Sequence, residues 1–364
     1  MPIIEAKGLT KRFRRPVKPP GLGGALRHLV RPRYQDVTAV DGIDLHIEAG
    51  ERVAYVGPNG AGKSTTVKLL TGILVPSAGY VQVRGVVPAA DRIANARNIG
   101  VVFGQRTQLW WDIPVREAFR LLGDIYEVPD ARFRTTYGEL VDVLNLEPLL
   151  SVPARQLSLG QRMRCDLAAS LLHGPAVLYL DEPTIGLDVA VKARFREFIQ
   201  TVHARQGLTV LLTSHDLGDI EQLCERMVMI DRGRIVYDGP FAEITRRFGY
   251  ERAIHFQLTK PLLQPGDTVR RALGDRAPVN VAVADADDLS LSLTFDGRDI
   301  SAGELIRELA TSIPFADVRI EEPTAESIIR KLYEGTLTFD AVSDGHLSEP
   351  DEQRNPAPNQ RSRA

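Results

Sequence analysis

Two spacings of apolar residues alternate along this chain. Within residues 1–56 the runs IIEAKGL, IDLHIEAG and ERVAYVG are short and read as strands, as does IGVVFG at 99–104. From Asp112 to about Leu172 the spacing turns helical in VREAFRLLGDIY, FRTTYGELVDVL and RMRCDLAASLL. Strands return at AVLYL (176–180) and TVLLTS (209–214), each followed by helix-like sequence. Near-continuous apolar strands alternating with helices predict an α/β fold with a parallel sheet covered on both faces. After about residue 245 the order becomes AIHFQL, a short helix near TVRRAL, VNVAVA, LSLSLTF, the helix GELIRELATS and ADVRI. That is the β-α-β-β-α-β order of a ferredoxin-like unit. A last helix, TAESIIRKLYEG, precedes a polar tail rich in Pro, Asn, Ser, Asp and Arg. The pattern predicts a first domain over 1–244, with a helical block at about 105–170, then a small α+β domain over 245–340 and a disordered tail over 341–364.

Composition removes several function classes. A net charge of −2 offers no surface-wide groove for nucleic acid, so no nucleic-acid partner is expected. No run reaches the roughly 18 apolar residues of a membrane span, and MPIIEAKGLT lacks the charged start and apolar core of a secretion signal. Any membrane is then reached through a partner. Cys165 and Cys224 make neither a disulfide framework nor a metal spacing and read as reduced thiols. One segment stands apart: residues 11–33, KRFRRPVKPPGLGGALRHLVRPR, carry several prolines and no acid. Most of it is expected as solvated loop, with GGALRHLV long enough for about two helical turns. The alternative role is contact with anionic headgroups or with the cytoplasmic end of a membrane partner, at about 1 kcal/mol per basic residue near the membrane.

The chemistry begins at GPNGAGKST, residues 57–65. Gly57, Gly62, Lys63 and Ser64 match the G-x-x-x-x-G-K-[ST] spacing, after an apolar strand and before a helix. Gly60 and Gly62 allow a tight turn in which backbone N–H groups converge on phosphate oxygens, and the helix start aims its dipole at the same point. The whole loop, Gly57, Pro58, Asn59, Gly60, Ala61, Gly62, Lys63, Ser64 and Thr65, is therefore the candidate ATP cradle. Lys63 is expected on the β and γ phosphates and Ser64 on Mg²⁺. Downstream, VLYLDEPT places Asp181 and Glu182 at the end of a buried strand. Asp181 suits Mg²⁺, and Glu182 suits a base that polarises the attacking water. A second helix start, LSLGQ at 157–161, pairs Ser158 with Gln161 in the S-x-x-Q spacing of a capping box.

LSLGQ also resembles the signature motif of ABC ATPases, usually LSGGQ, and lies about twenty residues before the Asp181–Glu182 pair. Gln105 in VVFGQRTQLWWD resembles the family's Q-loop glutamine, TIGLD at 184–188 its D-loop with Asp188 as the acid, and His215 in LLTSHD its switch histidine. These motifs, in the family's order over residues 1–240, identify the chain as a member of the ABC ATPases. The resemblance implies a P-loop ABC ATPase core, a parallel sheet plus antiparallel N-terminal strands, carrying a helical subdomain. It implies Glu182, His215 and Gln105 as catalytic residues and Ser64, Gln105 and Asp181 around Mg²⁺. In this family the signature of one copy covers the ATP of the other, so Ser158, Gly160 and Gln161 would act in trans. Leu159 stands where the motif usually has glycine, while Gly160 is kept.

VVFGQRTQLWWDIPVREAF, LSLGQRMRCDLAASLLHGPAVLYLDEPTIGLD, RFGYERAIHFQL and IEEPTAESIIRKLYEG resemble one subgroup, the ATPase components of type-2 exporters of the viologen or multidrug kind. The implied activity is ATP hydrolysis by a dimer, or by a paired ATPase subunit, at the cytoplasmic face of the membrane. It would power export through a separate permease. One of Trp110 and Trp111 is expected in the core, the other in the groove for the permease's coupling helix. An aromatic residue stacks on adenine in this family, and both Tyr34 and Phe13 are candidates, with Tyr34 favoured. Two rival functions remain. An ABC ATPase acting on ribosomes or DNA would carry a second signature or a long coiled coil, and neither is present. A regulatory binder would use its C-terminal domain to sense a ligand.

Overall fold

The unbroken apolar runs pair with one another, and the helices fall between them. The computed structural model describes residues 2–17, 33–104, 106–214, 216–274, 282–286 and 289–334. In chain order the elements are β1 (Ile4–Val17), β2 (Arg33–Ile47), β3 (Arg52–Val56), α1 (Lys63–Leu70), β4 (Ala78–Val83), α2 (Arg92–Asn98) and β5 (Ile99–Phe103). Three helices follow, α3 (Val115–Ile125), α4 (Asp130–Val143) and α5 (Leu159–Leu171). Then come β6 (Val177–Asp181), α6 (Val189–Gln206), β7 (Thr209–Thr213), α7 (Leu217–Leu223), β8 (Arg226–Asp231), β9 (Arg234–Pro240) and α8 (Phe241–Phe248).

A six-stranded sheet runs β5-β6-β7-β3-β8-β9. Its pairs from β5 to β8 are parallel and β9 closes it antiparallel. A second, antiparallel sheet runs β2-β1-β4. Ile4, Leu9, Ile43 and Leu45 from the small sheet share one core with Tyr55, Leu70, Tyr179 and Val228. This is the α/β class read from the sequence, with antiparallel N-terminal strands and three helices inserted between β5 and β6. Among the described residues no helix is long and apolar enough to cross a membrane.

The start of the basic segment is strand where loop was expected, while residues 18–32 lie outside the described residues. Residues 11–17 continue β1 and pair with residues 33–40 of β2, from Lys11 opposite Val40 to Val17 opposite Arg33. Pairing satisfies the backbone groups of a ribbon whose side chains are too polar to announce a strand. A cross-strand ion pair, Arg14 Nε to Asp36 Oδ1 at 3.6 Å, balances part of its charge. GGALRHLV and the tail over 341–364 lie outside the described residues. The elements β4, α2, β8 and β9 have no counterpart among those predicted.

The chain divides into two compact units, Met1–Ala242 and Glu243–Ala364, at a boundary within α8. The second holds β10 (Glu251–Leu258), α9 (Pro265–Leu273), β11 (Ala282–Ala286), β12 (Ser290–Asp296), α10 (Ala302–Leu309), β13 (Phe315–Glu321) and α11 (Ala325–Glu334). Its antiparallel sheet runs β11-β12-β10-β13. Strands β10 and β12 alternate, sending Ile254, Phe256, Leu291 and Leu293 into a core with Val269 and Leu305 of the two helices. On the opposite face polar residues meet, with His255 Nδ1 2.8 Å from Ser292 Oγ and Nε2 3.1 Å from Glu321 Oε2.

One titratable group bears on the stability of the first unit. His173, just after α5, is buried, stacks on Tyr126 with ring centroids 4.0 Å apart, and donates Nε2–H to Ile99 O at 2.9 Å. Burial lowers its pKa from 6.5 to about 4, against the pull of the Ile99 hydrogen bond. Between those two values the unfolded chain binds the proton and the folded chain does not, so this contribution to stability is lost as pH falls through that window. Urea unfolding of wild type and His173→Gln at a series of pH values should show the wild-type advantage shrinking by on the order of 3 kcal/mol from pH 7 to pH 4. A difference that stays flat across that range would refute the assignment.

Candidate functional site

At two positions the loop between β3 and α1 passes where no side chain could stand. A Cβ on Gly57 would lie 2.2 Å from Ile230 O, and one on Gly62 would lie 2.4 Å from Ala39 O. Gly62 has φ 115°, a conformation open to glycine alone, and starts α1 with no side-chain cap. The first N–H groups of α1 are thereby left for an anion. Lys63 is buried and folds back over the loop, donating to Gly57 O at 2.6 Å and Pro58 O at 3.3 Å. Thr66 fastens the first turn, with Oγ1 donating to Gly62 O at 3.1 Å and lying 3.2 Å from Tyr55 Oη.

Opposite the loop stands the carboxyl end of the parallel sheet. Asp181 Oδ1 accepts from Thr213 Oγ1 at 2.6 Å and from Ser64 Oγ at 3.4 Å. Glu182 turns out of the strand at φ 54°, a left-handed conformation that costs a non-glycine residue strain. Its N–H donates to Thr213 O at 3.0 Å. Across the turn Gly104 donates N–H to Asp181 O at 2.8 Å, and a Cβ on Gly104 would lie 2.0 Å from Glu182 O. Burial holds the Lys63 ammonium below the usual lysine range, opposed by the charges of Glu182 and Asp181. A lysine, a hydroxyl and two carboxylates thus share one neighbourhood at the strand ends. The hydroxyl and carboxylate oxygens are the hard donors that suit Mg²⁺.

The second helix start is a completed capping box. Gln161 N–H donates to Ser158 Oγ at 3.3 Å and Ser158 N–H to Gln161 Oε1 at 2.9 Å. Asp188 caps α6 with its side chain alone, accepting from Val191 N–H at 2.8 Å. The two starts pack together: a Cβ on Gly160 would lie 3.3 Å from Val191 Cγ1, and one on Gly186 would lie 2.9 Å from Leu159 Cδ2.

Gln105 and His215 lie outside the described residues. Their neighbours are placed: Gly104, after β5, bonded to Asp181 O of β6, and Asp216 in an ion pair with Lys192 Nζ at 2.5 Å. For the adenine ring, Phe13 pairs with Val37, two positions from Ala39, and Tyr34 lies five positions away. Along the strand direction these offsets are roughly 7 and roughly 17 Å from Ala39, whose carbonyl crowds Gly62, with Phe13 one strand over at roughly 5 Å. Tyr34 is 55% exposed, with the Arg14 guanidinium 5.6 Å from its ring centroid. The expectation of one core tryptophan is corrected: Trp110 and Trp111 are both exposed, at 40% and 54%. The buried position goes to Leu109, whose N–H is held by Thr107 Oγ1 at 3.1 Å.

Sequence reasoning missed three supports. Thr213 is one. A buried pair is the second, Thr184 Oγ1 to Asp219 Oδ2 at 2.5 Å with Arg196 Nε 3.2 Å from Asp219 Oδ1. Asp166, inside α5, is the third. None has a contiguous signal, because each acts on a partner distant in sequence.

The ABC transporter family model matches residues 40–185. The chain is 32% identical over 307 residues to the daunorubicin resistance ATP-binding protein DrrA3 of Streptomyces coeruleorubidus, a match covering 82% of this chain and 92% of that one. This chain belongs to the ABC transporter family of ATP-binding proteins. The Nod factor export ATP-binding protein I of Paraburkholderia xenovorans is 37% identical over 222 residues, which is 60% of this ABC protein and 72% of the relative. Among solved structures, an ATP-binding subunit of an ABC transporter superposes with a TM-score of 0.56 at 24% identity, covering 68% of this chain and 93% of that chain. A post-hydrolysis dimer of an ATP-binding cassette with ADP and Pi gives 0.54 at 23%, covering 65% and 98%. As an ABC transporter ATP-binding subunit the chain is an ATPase, and the loop at 57–65 faces the acidic strand end that such chemistry requires.

Gly104 tests that geometry. Gly104→Ala in this ABC ATPase should displace the Glu182 backbone and lower steady-state phosphate release by about 10²-fold, with ATP binding by equilibrium dialysis retained. Undiminished turnover would show that the close approach is dispensable.

Proposed function

We propose that two copies of this chain close around two ATP molecules and that closure and hydrolysis power export through a separate membrane permease. The observation that carries this reading is the meeting of Lys63, Ser64, Asp181 and Glu182 at the ends of β3 and β6. In each copy the 57–65 loop binds the phosphates, and the Ser158 helix start of the other copy covers the γ-phosphate. On binding, Lys63 exchanges its loop carbonyls for the β and γ oxygens. Ser64 and Asp181, with Gln105, would hold Mg²⁺, which neutralises phosphate charge when bound. Glu182 polarises the attacking water, and His215 senses the γ-phosphate. The Ser158 hydroxyl, already an acceptor for Gln161, still has its own proton to donate. With the helix dipole it contributes on the order of 0.3–2 kcal/mol, a scale that suits a clamp that must reopen. The register favours Phe13 over Tyr34 as the ring that stacks on adenine.

The permease, and with it the cytoplasmic face of the membrane, is met through the exposed Trp110–Trp111 pair that follows Gln105 in sequence. Relatives named for export and drug resistance favour transport over a role on ribosomes or DNA.

Glu182→Gln saturated with Mg-ATP should elute as a dimer on gel filtration, with turnover reduced by at least about 10²-fold. Wild-type turnover in that variant would remove Glu182 from its role. In a second comparison, Phe13→Ala should weaken ATP binding by about tenfold and Tyr34→Ala by less than about twofold. The opposite ranking would return the stacking role to Tyr34.

A further inference from the structure

The chain on either side of Gln105 is fastened, to different bodies. On one side Gly104 N–H is bonded to Asp181 O of β6, in the core sheet. On the other, the chain is bonded to Asp166 in the middle of α5. Asp166 Oδ1 accepts from Thr107 Oγ1 at 2.8 Å and from Gln108 N–H at 3.0 Å. Gln108 Nε2 returns a bond to the Asp166 carbonyl at 2.8 Å. Only residues 105 and 106 lie between the two attachments.

Nothing in α5 itself calls for a carboxylate here. Its neighbours Cys165, Leu167 and Ala168 are buried, and Asp166 is only 4% exposed. Burial pushes its pKa up to about 6, against the Thr107 and Gln108 hydrogen bonds that favour the ionised form. A helix buried on this side would be served as well by an apolar residue, so the acid is explained by what it holds. Ser158 lies eight residues earlier on the same helix, about 12 Å along its axis.

We propose that Asp166 is a positioning residue that makes residues 107–109 and the signature helix a single body, so that displacement of the Ser158 end during closure also displaces Gln105. The proposal rests on the ATP-driven closure described above. Asp166 touches no reacting atom. Its effect is to couple the placement of Gln105 to the position of the helix that covers the partner copy's ATP.

The full chain with Mg-ATP supplies the test. Asp166→Ala should lower kcat by about tenfold and leave the KM for ATP within about twofold, because the loss falls on positioning and not on the phosphate loop. Asp166→Asn keeps a carbonyl oxygen for both donors and should stay within about threefold of wild type in kcat. Without nucleotide, amide exchange at Gln108 and Leu109 should quicken by about tenfold in Asp166→Ala and stay unchanged in Asp166→Asn. If the alanine variant fails to fold, Thr107→Val carries the same kcat and exchange measurements. The proposal is overturned by an alanine variant with wild-type kcat, by an asparagine variant as impaired as alanine, or by kcat and KM shifting together. If the wild-type chain shows no ATP turnover, the motor reading falls, and exchange at Gln108 and Leu109 alone decides whether Asp166 is the anchor.

Discussion

Backbone N–H groups can surround a phosphate only where the chain is free of side chains on the side away from the ligand. Here that freedom is imposed by two sheets at once. Gly57 is pressed against Ile230 O of β8, in the parallel sheet, and Gly62 against Ala39 O of β2, in the antiparallel one. The wedge is bonded as well as packed, with Gly233 N–H on Ala61 O and Asp41 N–H on Gly233 O. Arg234 and Asp41 add an ion pair at 2.7 Å across the same junction. The shape of the loop is therefore a consequence of how the two sheets share one core. A change in that packing reaches the candidate phosphate loop without altering any of its own residues.

The opposite wall obeys a related constraint. A carboxylate at the end of a parallel strand is poorly solvated and needs donors, and Asp181 finds them in Thr213 and Ser64. Once Asp181 is held, the next residue must leave the strand sharply, and Glu182 does so at a left-handed φ. Gly104 admits that turn because it has no side chain to strike Glu182 O. The strained turn at Glu182 is thus held in place by its own N–H on Thr213 O and by Gly104 N–H on Asp181 O.

How much of this could be read in the sequence depended on whether the chemistry was contiguous. The 57–65 loop and the Asp181–Glu182 pair were legible because a turn, a helix start and a strand end each need adjacent residues of set type. Strands β3, β6 and β7 were legible because both faces are buried, leaving unbroken apolar runs. In β4 the alternation shows only at Val81 and Val83, and Gly79 at φ 73° crowds Gly8 O, so its sequence looks like a turn. The far half of the β1–β2 ribbon is basic and half-exposed, and only cross-strand pairing makes it a strand. Thr213 and Asp166 act on partners 32 and 59 residues away, a distance no local pattern spans. The tryptophans were misjudged for the same reason. Thr107, anchored by Asp166, turns Leu109 inward, and the two larger rings that follow are left outside.

Leu159 is the one departure inside the signature, and the structure gives it a place. The side chain lies over Gly186, where an added Cβ would come within 2.9 Å of it, so the bulk at 159 is matched by its absence at 186. Packing toward the D-loop side keeps the isobutyl group off the Ser158–Gln161 box, whose two hydrogen bonds are formed. Gly160 meets Val191 in the next turn, and Val191 is fixed by its bond to Asp188. The signature and the D-loop are therefore joined within one chain through apolar contact, and neither can shift far without the other. The bulk of Leu159 is thus accommodated inside the chain, between the starts of two helices.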